Sequence, residues 1–270
     1  MNAPKSGTAA GTAGWAVPAW SLLAREWLRF LRQRNRILGA LGTPLLFWVF
    51  FGSGFGSSFR PPGMGEGVDY LAFFFPGALL LVILFTAIFS SISIIEDRNA
   101  GFLQAVLVAP VPRLAIVMGK VLGGATLGAA QGLLLLPLAP LAGIALGPAQ
   151  ALAVAGELML ISVMLSALGF LFAWRMDSVQ GFHAVMNLLL FPMWLLSGAF
   201  FPASGAAVWL RVLMALNPLA YGLSALRGTL GAGESSGMGM PGLGVSLAVI
   251  GAAAVAMIAL AVWAVRQPER

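Results

Sequence analysis

The chain is 270 residues long, 60% hydrophobic and only 9% charged, with 15 Lys and Arg against 9 Asp and Glu for a formal net charge of +6. A soluble globular domain carries roughly 25% charged residues, so this composition excludes one and points to a multi-span membrane protein. Zero cysteines exclude disulfides, thiol catalysis and thiolate-bound metals, and a single histidine, His183, excludes a histidine metal cluster.

A positive balance of this size would suggest nucleic acid if the basic residues shared one solvated face. Here they fall in short segments between apolar runs, which makes them a topology signal and argues against a nucleic-acid partner. A span needs about 20 apolar residues, and the chain has room for about six.

Residues 1–17 are rich in Gly, Ala, Thr and Ser and form a disordered tail. Residues 18–36 read as an amphipathic helix. Trp20, Leu23, Ala24, Trp27, Phe30 and Leu31 recur at helical spacing, and Arg25, Arg29, Arg32 and Arg36, with Glu26 among them, line another face. Such a helix belongs in the membrane interface with its arginines at anionic headgroups. A surface helix of a soluble domain is the alternative, disfavoured because a span follows at once.

Residues 37–265 form a single six-helix transmembrane domain. The first span covers 37–55, with Gly39, Gly42 and Pro44, and the second covers 70–95, with Pro76 near its start. Residues 96–113, EDRNAGFLQAVLVAPVPR, are the one internal segment where charge, turn residues and an amphipathic run meet. The third span, 114–141, carries Gly124, Gly128 and Gly132 at four-residue spacing, a pattern that lets a neighbouring helix approach closely.

The fourth span, 151–174, contains Glu157, a costly residue inside a membrane. It is read either as a substrate or proton contact or as a hydrogen-bonded packing residue, with Gln131 as its candidate partner. The fifth span, 181–199, breaks at Ser197, Gly198 and Pro202. Residues 206–216 and 219–230 follow, each too short to span and separated by Asn217 and Pro218, and they read as an outer re-entrant hairpin that includes Tyr221 and Arg227. A flexible loop at 231–242 leads to the sixth span, 243–265, and residues 266–270 form a short tail. The expected fold class is all-α and polytopic.

With six spans both termini share one side. That side carries Lys5, five arginines from Arg25 to Arg36, Arg98, Arg113, Lys120, Arg175, Arg266 and Arg270, twelve of the fifteen basic residues, against Arg60, Arg211 and Arg227 opposite. The positive-inside rule puts both termini and the 96–113 loop in the cytoplasm.

No catalytic constellation is visible. Gly119 and Lys120 resemble the end of a phosphate loop, but Leu114 stands where its first glycine belongs and Val121 where Ser or Thr belongs. In the 96–113 loop, Glu96, Asp97 and Arg98 precede Gly101. Phe102, Leu103, Val106 and Leu107 then form one apolar face of a two-turn helix that ends at Pro110 and Pro112, with Gln104 between them. A short apolar helix on a charged hinge is a docking element, or it rests on the membrane interface.

At these residues the chain resembles the permease subunit of type-2 ABC exporters, the ABC-2 family. The resemblance covers nearly the whole chain: the basic helix before the first span, six spans, EDRNAG followed by APVPR and GK, and LSGAFFP followed by NPLAYGLSALRG. It implies that residues 101–108 are the coupling helix seated on a separate cytoplasmic ABC ATPase, which would bind ATP and Mg while this chain binds no cofactor. Gly101-Phe102-Leu103-Gln104 stands where many members read Gly-Thr-Leu-Glu.

The expected function is export of a lipophilic or amphipathic substrate from the cell membrane by a homodimer or a pair of homologous permeases. Phe73, Phe74, Phe75, Phe85, Phe191, Trp194 and Phe200 offer aromatic surface for a path between the copies, and packing is the alternative for each. An ATP-independent secondary transporter or scaffold is the rival. A secondary carrier calls for an internal repeat with paired broken helices, and this chain has one broken region.

Overall fold

The computed structural model describes residues 14–55, 69–232 and 241–267. Its helices are α1 Ala16–Arg32, α2 Arg34–Phe55, α3 Tyr70–Asn99, α4 Phe102–Val108, α5 Arg113–Leu135, α6 Pro148–Arg175, α7 Val179–Trp194, α8 Val208–Leu216, α9 Pro218–Leu230 and α10 Leu243–Arg266. A 3-10 turn, Leu136–Ala142, extends α5, and a π turn, Leu195–Ala199, extends α7. No strand occurs among the described residues. Six helices, α2, α3, α5, α6, α7 and α10 with these extensions, are long and apolar enough to cross a membrane. The expected tail lies outside the described residues as far as residue 13, as do 56–68, most of the loop at 231–242, and 268–270.

The chief difference from the expected spans is α3, which continues to Asn99 instead of stopping at residue 95. Thirty residues at 1.5 Å each make about 45 Å, against a hydrocarbon core of about 30 Å. Roughly ten residues therefore project beyond the core. The apolar part of α3 is buried almost all round because it is apolar all round, and α2, α5, α6, α7 and α9 pack about it. The outer faces of α2 and α10 stay uncovered, with Phe50, Val255 and Trp263 exposed.

Small residues on α5 set the closeness of the bundle. A Cβ on Gly124 would sit 2.5 Å from Ser90 Oγ and 2.9 Å from Ser166 Oγ, and one on Gly128 would sit 3.0 Å from Ser162 Oγ. The glycine stripe is a packing seam that admits serine side chains from α3 and α6. A Cβ on Gly119 would meet Leu22 Cβ at 2.7 Å and the Ala19 carbonyl at 2.8 Å. The same helix thus receives α6 on one side and α1 on another.

The fifth span ends in a distortion. Pro192 removes a helical donor, the chain passes through the π turn, and Gly198 takes φ 96°, a conformation that favours glycine. Beyond it α8 and α9 meet at 85° across Asn217. Asn217 Oδ1 accepts from Leu219 N at 3.0 Å and its amide donates to the Met193 carbonyl at 2.6 Å, so one side chain caps α9 and ties it to α7. Pro218 fills the first helical position, Tyr221 donates to the Ala215 carbonyl at 2.9 Å across the bend, and Pro202 is buried.

Candidate functional site

The projecting end of α3 carries Ser93, Glu96, Asp97 and Arg98, and these residues organise the end of the bundle that also holds α1, α4 and the C-terminus of α10. Asp97 is fully buried. Arg25 of α1 donates to both of its oxygens, at 2.6 and 2.7 Å, and Arg29 donates at 3.0 Å. Lys120 of α5 reaches Asp97, Glu26 of α1 and Ser93, at 2.5, 2.5 and 3.1 Å. Arg36 of α2 bonds Glu96 at 2.5 Å, with Arg29 3.6 Å from the other Glu96 oxygen.

A carboxylate removed from water is tolerable only when paired and fully hydrogen-bonded. Three cations around Asp97 meet that demand and tie α1, α3 and α5 together, and Arg36–Glu96 adds α2. The Arg25 guanidinium is held above its ordinary pKa, chiefly by the hydrogen bond to Asp97, against the opposing effect of burial.

The network corrects the expected orientation of α1. Its buried residues are Ala19, Leu22, Glu26 and Phe30, so Phe30, expected on the membrane-facing side, packs against the protein instead, while Trp20 and Leu31 are exposed. Arg25, Arg29 and Arg36, expected at headgroups, turn inward to Glu96 and Asp97, and Arg32 stays exposed. Lys120 was legible only as a charge; a cation two turns inside an apolar helix asks for a partner, which pointed to the network without locating it.

The loop helix α4 begins after Gly101, whose φ of 74° favours glycine. Its sequence-read apolar face turns inward. Leu103 is buried and Phe102, Val106 and Leu107 pack against the core, so the outward positions are Gln104, Ala105 and Val108, with Val108 87% exposed. The Arg25 guanidinium lies 3.7 Å over the Phe102 ring. Pro110 follows, exposed, in the turn to α5.

Arg98 points elsewhere. It donates to the Trp174 carbonyl, to the Met176 carbonyl at 3.3 Å and to Asp177 at 3.2 Å. It thereby satisfies carbonyls at the C-terminus of α6, where a cation is favoured. Arg113 serves α10 likewise through the Val265 carbonyl at 2.9 Å.

Belonging is decided by comparison with known proteins. The family model described as ABC-2 type transporter matches residues 18–230. This chain belongs to the ABC-2 type transporter family. It is 28% identical over 215 residues to the inner membrane transport permease YadH of Escherichia coli, covering 77% of this chain and 80% of that one. It is also 28% identical over 209 residues to ycf38 of Cyanophora paradoxa, named as a candidate transport permease, covering 76% and 71% respectively. Nodulation protein J of Rhizobium leguminosarum is 28% identical over 199 residues, 72% of this chain and 74% of its own. An ABC-2 family member with six membrane-crossing helices is a multi-pass membrane protein of the transport-permease type.

The aromatic residues expected along a path divide in two. Phe74 and Trp194 are fully buried: Trp194 donates to the Gly77 carbonyl at 2.8 Å, and its ring centroid lies 6.1 Å from Phe74 and 5.0 Å from Phe200. Within one chain these two are packing residues. Phe85 is half-buried and Phe191 is exposed, so both remain available to a neighbour.

At the opposite end, Glu157 is buried and accepts from Thr229 of α9 at 2.5 Å. Gln131, its expected partner, makes no hydrogen bond to any described residue with either amide atom, so that pairing is corrected to Thr229. Helix α9 came near enough to supply the hydroxyl, which spacing on α5 and α6 could not reveal. Arg227, counted as an outer basic residue, is buried, bonds the Gly198 carbonyl at 2.9 Å and lies 4.1 Å from the Phe73 ring centroid.

Proposed function

We propose that the chain is the membrane subunit of an ABC exporter, driven by ATP hydrolysed on a separate ABC ATPase and working as a dimer with a second permease copy. The observation that carries this reading is α4, a two-turn helix whose inner face is clamped to the bundle through Arg25, Phe102 and Leu103 while Val108 is left uncovered. A force on α4 passes to α3 through Gly101 and to α1 through Arg25. Conformational work on a partner can move the spans only through contacts that differ between states, and a rigidly mounted helix is suited to carry such work.

In this reading α4 and both termini face the cytoplasm, in keeping with the charge count, and the hairpin α8–α9 lies at the outer surface as a re-entrant element. The cargo is lipophilic or amphipathic, and Phe85 and Phe191 face it or the second copy. The relatives' names support permease function, and family membership supports an ABC ATPase partner.

The outward face of α4 is the test. Val108→Asp with Gln104→Ala should abolish co-purification with a co-expressed ABC ATPase and its stimulation, with membrane insertion intact. Full co-purification and stimulation by that double variant would overturn the docking role. Phe102→Ala, by contrast, should lower stability as well, because it removes a packed ring.

A further inference from the structure

The arginines between Arg25 and Arg36 are not equivalent. Arg25, Arg29 and Arg36 are spent on Asp97 and Glu96, whereas Arg32 and Arg34 are exposed and make no ion pair or hydrogen bond with any described residue. The two flank Gln33, the single residue that breaks α1 from α2, where the chain leaves helical geometry at φ −102° and ψ 73°.

The nearby carboxylates are already committed. Glu26 pairs with Lys120, Asp97 with Arg25, Arg29 and Lys120, and Glu96 with Arg29 and Arg36. Counting Arg25, Arg29, Arg32, Arg34, Arg36 and Lys120 against Glu26, Glu96 and Asp97 gives six positive groups, three negative groups and an excess of three positive charges at this elbow. Arg32 and Arg34 carry two of them.

Depth follows from the fold. Arg34 is the first residue of the membrane-crossing helix α2, so the elbow lies at the headgroup layer of the leaflet that α2 enters. Beside it α1 presents a second apolar stripe, Val17, Trp20, Leu28 and Leu31, all exposed and opposite the buried Ala19, Leu22, Glu26 and Phe30. Two uncompensated guanidiniums beside an interfacial apolar stripe match the phosphate of an anionic lipid headgroup.

We propose that Arg32 and Arg34 form a seat for the phosphodiester of an anionic phospholipid, with the exposed Val17, Trp20, Leu28 and Leu31 of α1 resting in the interface beside it. The bound lipid offsets one of the three excess charges at the elbow and holds α1 at a fixed depth. Because α1 carries Arg25, that depth sets how firmly α4 is clamped. The seat stands whether or not α4 docks on an ATPase.

The test uses the full chain in nanodiscs of phosphatidylcholine with or without phosphatidylglycerol, with retained lipid counted by native mass spectrometry. The wild type should retain phosphatidylglycerol in preference to phosphatidylcholine. Each basic residue at an anionic surface is worth roughly a factor of five, so Arg32→Gln with Arg34→Gln should weaken retention about twenty-five-fold. Arg211→Gln, at the hairpin end, should leave it unchanged.

Arg32→Lys with Arg34→Lys should keep most of the preference, which separates lost charge from lost folding. Equal retention of the two lipids by the wild type, or unchanged retention in the double Gln variant, overturns the proposal. So does displacement by millimolar inorganic phosphate, which would make the elbow a simple anion site.

Discussion

Arg25 donates a hydrogen bond to each carboxylate oxygen of Asp97, at 2.6 and 2.7 Å, from a helix 72 residues earlier in the chain. A bidentate pair of this kind fixes orientation as well as distance. It orients the first turns of the bundle, since α1 cannot rotate about its axis without breaking one of the two bonds.

Asp97→Asn should therefore be severe. It leaves Arg25, Arg29 and Lys120 gathered around a neutral side chain, and breaking a buried ion pair costs about 3–5 kcal/mol. Expected is a large fall in the thermal unfolding midpoint in detergent. The same exchange at Asp177, whose side chain is 89% exposed against Arg98, should shift the midpoint hardly at all. Equal effects at the two sites would mean that the Asp97 network does not hold the bundle.

The docking of α1 rests on missing side chains. Gly119→Val places atoms where the Ala19 carbonyl and Leu22 already stand, and backbone on one side cannot yield cheaply. Overpacking of this sort typically costs 1–3 kcal/mol. Gly42 of α2 has nothing within 4 Å of its Cβ position, so Gly42→Ala should be neutral or stabilising by up to about 1 kcal/mol. Unfolding midpoints of the two variants give the comparison, with increased protease access to α1 expected only in the first.

Why the spans were legible and the network was not follows from the range of the forces. An apolar run of about 20 residues decides a span from local sequence alone, and all six expected runs coincide with membrane-crossing helices. Even the break at Asn217–Pro218 is local chemistry, because proline and a capping side chain act within one turn. The pairs Arg36–Glu96 and Lys120–Glu26 join residues 60 and 94 positions apart, and nothing in a periodic pattern says which charge meets which. Periodicity also did not show that Phe30 of α1 and the Phe102–Leu107 face of α4 turn inward, because spacing cannot tell which apolar residues meet the protein and which meet the surroundings.

Glu157 offers a direct check on the corrected partner. A double-mutant cycle with Glu157→Gln and Thr229→Val should give a coupling of about 1.5–3 kcal/mol, in the range of a hydrogen bond to a charged group. Gln131→Leu should be neutral or stabilising, because it removes two buried polar atoms that have no partner among the described residues. A loss on Gln131→Leu that disappears in the Glu157→Gln background would restore the Gln131 pairing.

Topology can be read without engineering a background, since the chain has no cysteine. Ala145 lies in the exposed turn between the 3-10 extension of α5 and α6, and Gln104 lies on the outward face of α4, so they sit at opposite ends of α5. In intact cells a membrane-impermeant maleimide should label Ala145→Cys and spare Gln104→Cys until the membrane is opened. A cysteine at position 236, between α9 and α10, tests the hairpin. If α8 and α9 return to the side they left, it labels from outside together with Ala145→Cys. If the pair bent by 85° is one broken crossing, it labels only after opening, and the six-span arrangement with both termini inside fails.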